Sequence, residues 1–255
     1  MRFTILGATG LIGGHLVATL SAQGHSVAVP PRDADPATFE DPGHIIYAIG
    51  LTADFRQRPF DTVDAHVTRL AQVLRRCPFE SLLYLSSTRV YSRTSCTLED
   101  TPLPVAPHSP GDLYQISKLM GESLCLHGGR ANVRIARLSN VVAPDTIPRD
   151  TFVSALAQAA EKGHIYLESA LSSVKDYITL ADVGALLPRI AVGGRERIYN
   201  VASGVQTSHR QWIDHFVATT GCTWEVAPQA LETSFPPIDI TRLRQEFAFT
   251  PSSVF

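Results

Sequence analysis

Tyr114-Gln115-Ile116-Ser117-Lys118 places a phenol and an ammonium four residues apart, a spacing that puts both on one face of a helix. A free phenol ionises near ~10 and is a poor base at neutral pH. A neighbouring cation stabilises the phenolate and lowers that value, which makes an acid/base able to move a proton to or from a hydroxyl. Alone, a Tyr–Lys pair is more often a solvated helix face. Here it follows a strand that ends in Leu85-Ser86-Ser87-Thr88-Arg89-Val90-Tyr91, where hydroxyl groups meet the same edge.

A second group lies at the N-terminus, where Gly7-Ala8-Thr9-Gly10-Leu11-Ile12-Gly13 separates the apolar strand Phe3–Leu6 from a helical pattern. In such a turn the first glycine permits the tight bend. The second lets a pyrophosphate approach the backbone, and the third lets helix and strand pack closely. The anion rests on the helix N-terminus, where free N–H groups and the dipole favour negative charge. A plain tight turn needs no such trio, and the strand–turn–helix context predicts dinucleotide binding.

These groups must be positioned by the elements around them. Segments of strand length alternate with helical patterns, which predicts βαβ units and a parallel sheet of Rossmann type. Strands are expected at 3–6, 26–29, 44–49, 81–86 and 133–138, with helices 60–76 and 113–128 between the later ones. Residues 30–43 (PPRDADPATFEDPG) are too few for the usual crossover, so one strand is expected to be missing after the second. Beyond Pro144 the pattern weakens into shorter elements: a helix near 151–162, strands near 164–167, 176–179 and 199–202, a helix over 181–190, and a last helix capped by Ser208. The organisation expected is an α/β, doubly wound Rossmann domain of residues 1–144 and 175–202. A small C-terminal substrate lobe of residues 145–174 and 203–255 would cover the carboxyl edge of the sheet.

Composition narrows the functions. A net charge of −2 over 255 residues, with 44% apolar and 18% charged content, provides no footprint for nucleic acid or an anionic membrane. No apolar run approaches the roughly 20 residues of a spanning helix, and Met1-Arg2 leads straight into the first strand. Four cysteines without C-x-x-C spacing are expected to be reduced thiols of a cytoplasmic protein. Nine histidines without an H-x-x-x-H pair and carboxylate partner argue against metal catalysis. Trp212 and Phe216 share a helix face and are expected in a core.

In order and spacing the motifs resemble the extended short-chain dehydrogenase/reductases, the group of nucleotide-sugar epimerases and dehydratases. The resemblance rests on the glycine turn, Ser86–Tyr91 as Ser-Ser-x-x-Val-Tyr, and Tyr114–Lys118 as Tyr-x-x-x-Lys. It extends through Arg137-Leu138-Ser139-Asn140, Lys175-Asp176-Tyr177-Ile178 with Ala181-Asp182-Val183, and Tyr199-Asn200-Val201-Ala202-Ser203-Gly204. It implies that Ser87 hydrogen-bonds the reacting hydroxyl or carbonyl and that Tyr114 is the general acid/base. Lys118 would hold the nicotinamide ribose and depress the Tyr114 pKa. Cofactor contacts are implied for Gly7, Thr9, Gly10, Leu11, Ile12, Gly13, Arg32, Ala48, Ile49, Gly50 and Leu138, besides Tyr114 and Lys118. Ser87, Thr88, Asn140 and Lys175 would face the substrate, the last two toward its phosphates. Pairing of two copies through helices 60–76 and 113–128 is also implied.

The departures shape the reading. Where the family's NAD enzymes carry an acid after the second strand, this chain has Pro31-Arg32-Asp33. Arg32 suits a 2′-phosphate and tilts the choice to NADP, while Asp33 keeps NAD open. The Asp-Glu pair of the dehydratases is replaced by Thr88-Arg89, which argues against dehydration. His66 occupies a position where the epimerases have asparagine. The reading is a NAD(P)-dependent 4-epimerase or 4-ketoreductase of a nucleotide-linked sugar. The alternatives are a reductase of a smaller keto compound and a non-catalytic NADP-binding sensor, against which an intact Tyr114/Lys118 pair speaks.

Overall fold

Alternation of buried side chains on the central strands decides the architecture. In β-strands successive residues face opposite sides, and here both sides are apolar, as expected for a sheet covered by helices on both faces. The computed structural model describes residues 1–52, 54–143 and 151–255. In chain order the elements begin with β1 (Arg2–Leu6), α1 (Leu11–Ala22), β2 (Ser26–Ala28) and β3 (His44–Tyr47). Then follow α2 (Pro59–Val63), α3 (Arg69–Arg76), β4 (Ser81–Ser87), α4 (Asp112–His127), β5 (Val133–Leu138) and β6 (Asn140–Val142). The remainder is α5 (Phe152–Glu161), β7 (His164–Ser169), β8 (Val174–Thr179), α6 (Leu180–Gly193), β9 (Ile198–Val201), β10 (Gln206–Ser208), α7 (His209–Thr220), β11 (Thr223–Leu231) and α8 (Thr241–Phe247).

The main sheet is parallel in the order β2-β1-β3-β4-β5-β9. Between β2 and β3 there is only a short 3-10 turn at Pro36–Thr38, so the strand expected to be missing is missing. Ile46, Leu83, Leu85 and Ala136 face α1 and α6, where they meet Leu16, Leu20, Val183 and Ile190. Ile45, Tyr47, Leu82, Tyr84 and Ile135 face α3 and α4, where they meet Leu70, Val73 and Cys125. This is the doubly wound α/β fold.

Two small sheets complete the molecule, β10-β8-β6 and β11-β7. A separate apolar cluster joins α5, α7 and β7 through Leu156, Ile165, Leu167, Trp212, Ile213 and Phe216, so Trp212 and Phe216 are core residues. Leu243 and Phe247 of α8 pack into the main core instead. The expected boundary at 144/145 lies outside the described residues. All four cysteines are free thiols. Among the described residues no helix is long and apolar enough to cross a membrane, and no His/Cys/Asp/Glu group is arranged to hold a metal.

Candidate active site

The carboxyl ends of β1, β3, β4 and β5 open into one cleft of about 540 Å³, roofed by β6, β8 and the start of α5. On one side the glycine turn leads into α1. Gly7 has φ +94°, and a Cβ there would meet the Ala48 backbone at 2.7 Å. A Cβ at Gly13 would meet the Gly7 carbonyl oxygen at 2.2 Å. No bulkier residue fits either place. Gly10 has ordinary φ of −83° and caps α1 without a side-chain bond, and α1 has no acid in its first turn. The first-turn N–H groups of α1 therefore point into the cleft unpartnered, with positive partial charge behind them. A cofactor pyrophosphate fits this cradle.

Ser87 ends β4 and caps the turn Thr88–Tyr91, its Oγ accepting the Arg89 N–H at 3.2 Å. Tyr114 and Lys118 project from α4 toward the same strand end, and Ser87, Thr88, Tyr114 and Lys118 all line the cleft. The Lys118 ammonium donates to the Leu85 carbonyl at 2.8 Å and lies 6.0 Å from the Tyr114 ring centroid. Burial pushes it down to about 7, against a smaller upward pull from Glu122. Burial raises the Tyr114 phenol above its ordinary value, while the Ser87 hydroxyl, the Arg89 charge and the Thr52 hydroxyl act to lower it. The Lys118 ammonium, for its part, is turned to a β4 carbonyl.

His66 lies in a π-helical turn at Asp64–Thr68 between α2 and α3, a helix defect of the kind frequent at functional sites. It is fully buried, and its Nε2 accepts the Leu51 N–H at 3.2 Å. That leaves Nδ1 to donate to Ser117 Oγ at 2.8 Å, and Ser117 in turn donates to the Tyr114 carbonyl at 2.9 Å. Burial, with Lys118 acting in the same direction, holds the imidazole down at about 2, so it is neutral. His66 thus ties the chain after β3 to α4 at the turn that carries Tyr114 and Lys118.

Beneath the cleft several motif residues are braces. Arg137 and Glu122 form a buried ion pair at 2.7 Å, and Ser86 donates to the same carboxylate. Arg137 also donates to the Tyr91 hydroxyl at 2.6 Å, which donates to Asn200 at 2.8 Å. Asp176 on β8 accepts the Ser203 and Gly204 N–H groups at 2.9 and 2.7 Å. The late motifs meet there.

Of the expected site residues, the structure brings Gly10, Leu11, Ile12, Gly13, Ala48, Ile49, Gly50, Leu138, Ser87, Thr88, Tyr114, Lys118, Asn140 and Lys175 to one cleft. Gly7 lies beneath the turn as its hinge, and Thr9 and Arg32 are exposed outside the lining. Asn140 donates to the Asp176 carbonyl at 2.8 Å, so it also ties β6 to β8. Sequence reasoning missed Arg89 and Thr52 as site residues. The only signal was proximity to Ser87 and to the β3 end.

Sheet, glycine turn and the Ser87–Tyr114–Lys118 group at one strand edge define a NAD(P)-dependent enzyme of the short-chain dehydrogenase/reductase type. The chain belongs to the NAD dependent epimerase/dehydratase family, whose model matches residues 3–202. Similar proteins include a GDP-6-deoxy-D-mannose reductase of Pseudomonas aeruginosa, 29% identical over 247 residues, covering 84% of this chain and 78% of the relative. A dTDP-6-deoxy-L-talose 4-dehydrogenase (NAD(P)(+)) of Kitasatospora kifunensis is 24% identical over 293 residues, covering 98% and 91%. Among solved structures, a Thermus thermophilus UDP-glucose 4-epimerase in complex with NAD superposes with a TM-score of 0.79 at 21% identity, covering 100% of this chain and 95% of that one.

Proposed function

We propose that this enzyme transfers hydride and proton at C4 of a nucleotide-linked sugar, acting as a 4-ketoreductase with exchangeable NADP(H). The observation that carries the reading is the meeting of Ser87 and Tyr114 in the cleft that the glycine turn also lines, which supports a proton donor beside a cofactor seated on α1. A nicotinamide cofactor bound here would supply hydride exchange at the sugar carbon and, when oxidised, a positive charge. The residues do the rest. The α1 N-terminus would hold its pyrophosphate, and Lys118, which donates to the Leu85 carbonyl, would hold its ribose. Ser87 donates to the sugar oxygen, and Tyr114 delivers or removes its proton. The lobe over the carboxyl edge, with Lys175 and Asn140 at its face, orients the nucleotide. With Thr88 and Arg89 after Ser87, no carboxylate stands where one would expel water, so the chemistry stops at proton and hydride transfer.

The test is incubation of the purified enzyme with NADPH and either GDP-4-keto-6-deoxymannose or dTDP-4-keto-6-deoxyglucose. Stoichiometric loss of NADPH and of ketone supports the reading. Interconversion of UDP-glucose and UDP-galactose with no net change in cofactor would instead make the enzyme a 4-epimerase, and absence of turnover together with failure to bind any nucleotide sugar overturns both.

Two substitutions test the cofactor seat. A Cβ at Gly10 would meet only the Gly7 carbonyl oxygen, at 3.5 Å, so Gly10→Val is expected to fold. It will fill the pyrophosphate cradle and weaken NADPH binding by about 10²-fold or more, as expected for loss of several charge-assisted hydrogen bonds. Unchanged affinity by fluorescence titration would remove the glycine turn from the site. Arg32, exposed on the loop after β2, will prove its role through selectivity. Arg32→Ala will cost about 1–3 kcal/mol of NADPH affinity and leave NADH nearly unaffected. Equal effects on both cofactors would return Arg32 to the solvated loop.

A further inference from the structure

Arg89 carries a charge on the cleft wall that its effect on the Tyr114 phenol does not exhaust. Its guanidinium carbon lies 5.0 Å from the Phe55 ring centroid and 5.5 Å from that of Tyr114. The side chain is half-buried on the cleft wall and makes no ion pair among the described residues. Asp112, the acid whose charge reaches it, is already held by Arg93 through bonds of 2.7 and 3.0 Å and by the Ala106 N–H at 2.7 Å. Among the described residues the cleft offers no substitute. Those that line it include three cations, Arg89, Lys118 and Lys175, against one carboxylate, Asp176, which is buried and committed to the Ser203 and Gly204 N–H groups. Arg56 adds a further cation, 4.6 Å from the centroid of the same Phe55 ring. Burial and the charge of Arg56 both disfavour the protonated form of Arg89, and Arg89 does the same to Lys175. Rings hold such a cation in place, but only an anion compensates its lost hydration and the repulsion of its neighbours.

Position indicates which anion. Arg89 stands two residues after Ser87 and leans over the ring whose hydroxyl meets the reacting oxygen, so its partner is a neighbour of the reacting carbon. In a sugar that reacts at C4, the anomeric diphosphate lies across the ring, while a C5 substituent lies beside it. We propose that Arg89 forms a forked pair with a carboxylate on the sugar, so that the preferred substrate is a nucleotide-linked hexuronate and not a neutral hexose. The planar guanidinium matches a carboxylate through two parallel N–H bonds, which a point charge cannot do. This inference rests on the nucleotide-sugar reading above and narrows it.

The test uses Tyr114→Phe protein, which keeps the ring under Arg89, saturated with NADPH. Calorimetry measures Kd for two matched pairs, UDP-glucuronate against UDP-glucose and GDP-mannuronate against GDP-mannose. In at least one pair the uronate is expected to bind about 10–100-fold tighter, as for hydrogen bonds between charged groups. Adding Arg89→Gln is expected to bring that ratio to about one. If Arg89→Gln protein no longer binds NADPH, Arg89→Lys replaces it, with a several-fold fall in the ratio expected. Equal binding within both pairs, or a preference that survives the substitution, overturns the proposal and leaves the nucleotide-sugar reading standing. So does a parallel weakening of both members of a pair, which would assign Arg89 to the diphosphate. Failure of all four compounds to bind NADPH-loaded protein overturns that reading together with the proposal.

Discussion

Tyr114→Phe will lower turnover by about 10²–10⁴-fold, the usual contribution of a positioned acid/base, while folding and NADPH affinity persist. The ring contacts with Phe55 and His66, at 5.5 and 5.3 Å between centroids, need no hydroxyl, so the substitution removes only the phenol oxygen and its proton. Among the described lining residues Asp176 is the one other carboxyl, imidazole or phenol group besides the Tyr177 phenol on the roof, and its carboxylate is engaged by backbone N–H groups. Lys118→Met will differ in kind: it will weaken the cofactor as well as slow the reaction. Steady-state kinetics with paired cofactor titrations separate the two. Near-normal turnover of Tyr114→Phe would move the chemistry to another group.

The second large effect lies below the site. Glu122 and Arg137 are each 3% exposed and pair at 2.7 Å, and breaking such a pair from one side leaves the other charge buried without compensation. Glu122→Ala is expected to cost about 3–5 kcal/mol of stability, read as a lower midpoint in urea unfolding at unchanged slope. Substituting both residues by methionine is expected to recover most of the loss, because an apolar pair of similar volume carries no unpaired charge. A cost below about 1 kcal/mol for Glu122→Ala would mean that Ser86 and water suffice to satisfy Arg137. Turnover and stability should separate here: the pair braces β5 against α4 and touches no reacting atom.

Local pattern made much of this legible. The strands from Phe3 to Leu138 announce themselves because their apolar runs are bounded by turns, and the glycine trio because each position answers one steric demand. Ser208 is read as a helix cap from its type alone, and it forms a reciprocal capping box with Gln211. What stayed hidden depends on partners far along the chain. β6, β10 and β11 pair with strands tens of residues away, and at three residues each β6 and β10 leave no period to detect. Tyr91 and Arg137 read as family marks, yet their work is to carry a buried hydrogen-bond chain between β4, β5 and β9. Arg89 reads in the sequence only as an acid that is absent. Its entry into the cleft follows from the 3-10 turn after Ser87, which no residue-by-residue reading supplies.

The shortened passage between β2 and β3 bears on solubility as well as on topology. Because the missing strand would have covered it, β2 is the outer edge of the main sheet, and an open edge is a template on which another chain can pair. Here that edge is three residues long, Ser26–Ala28, and two prolines, Pro30 and Pro31, follow within three positions. Proline has no N–H to offer an incoming strand. The sheet therefore ends where further growth has almost no backbone to bond to, and removal of the expected outer strand does not leave the protein prone to stacking edge to edge.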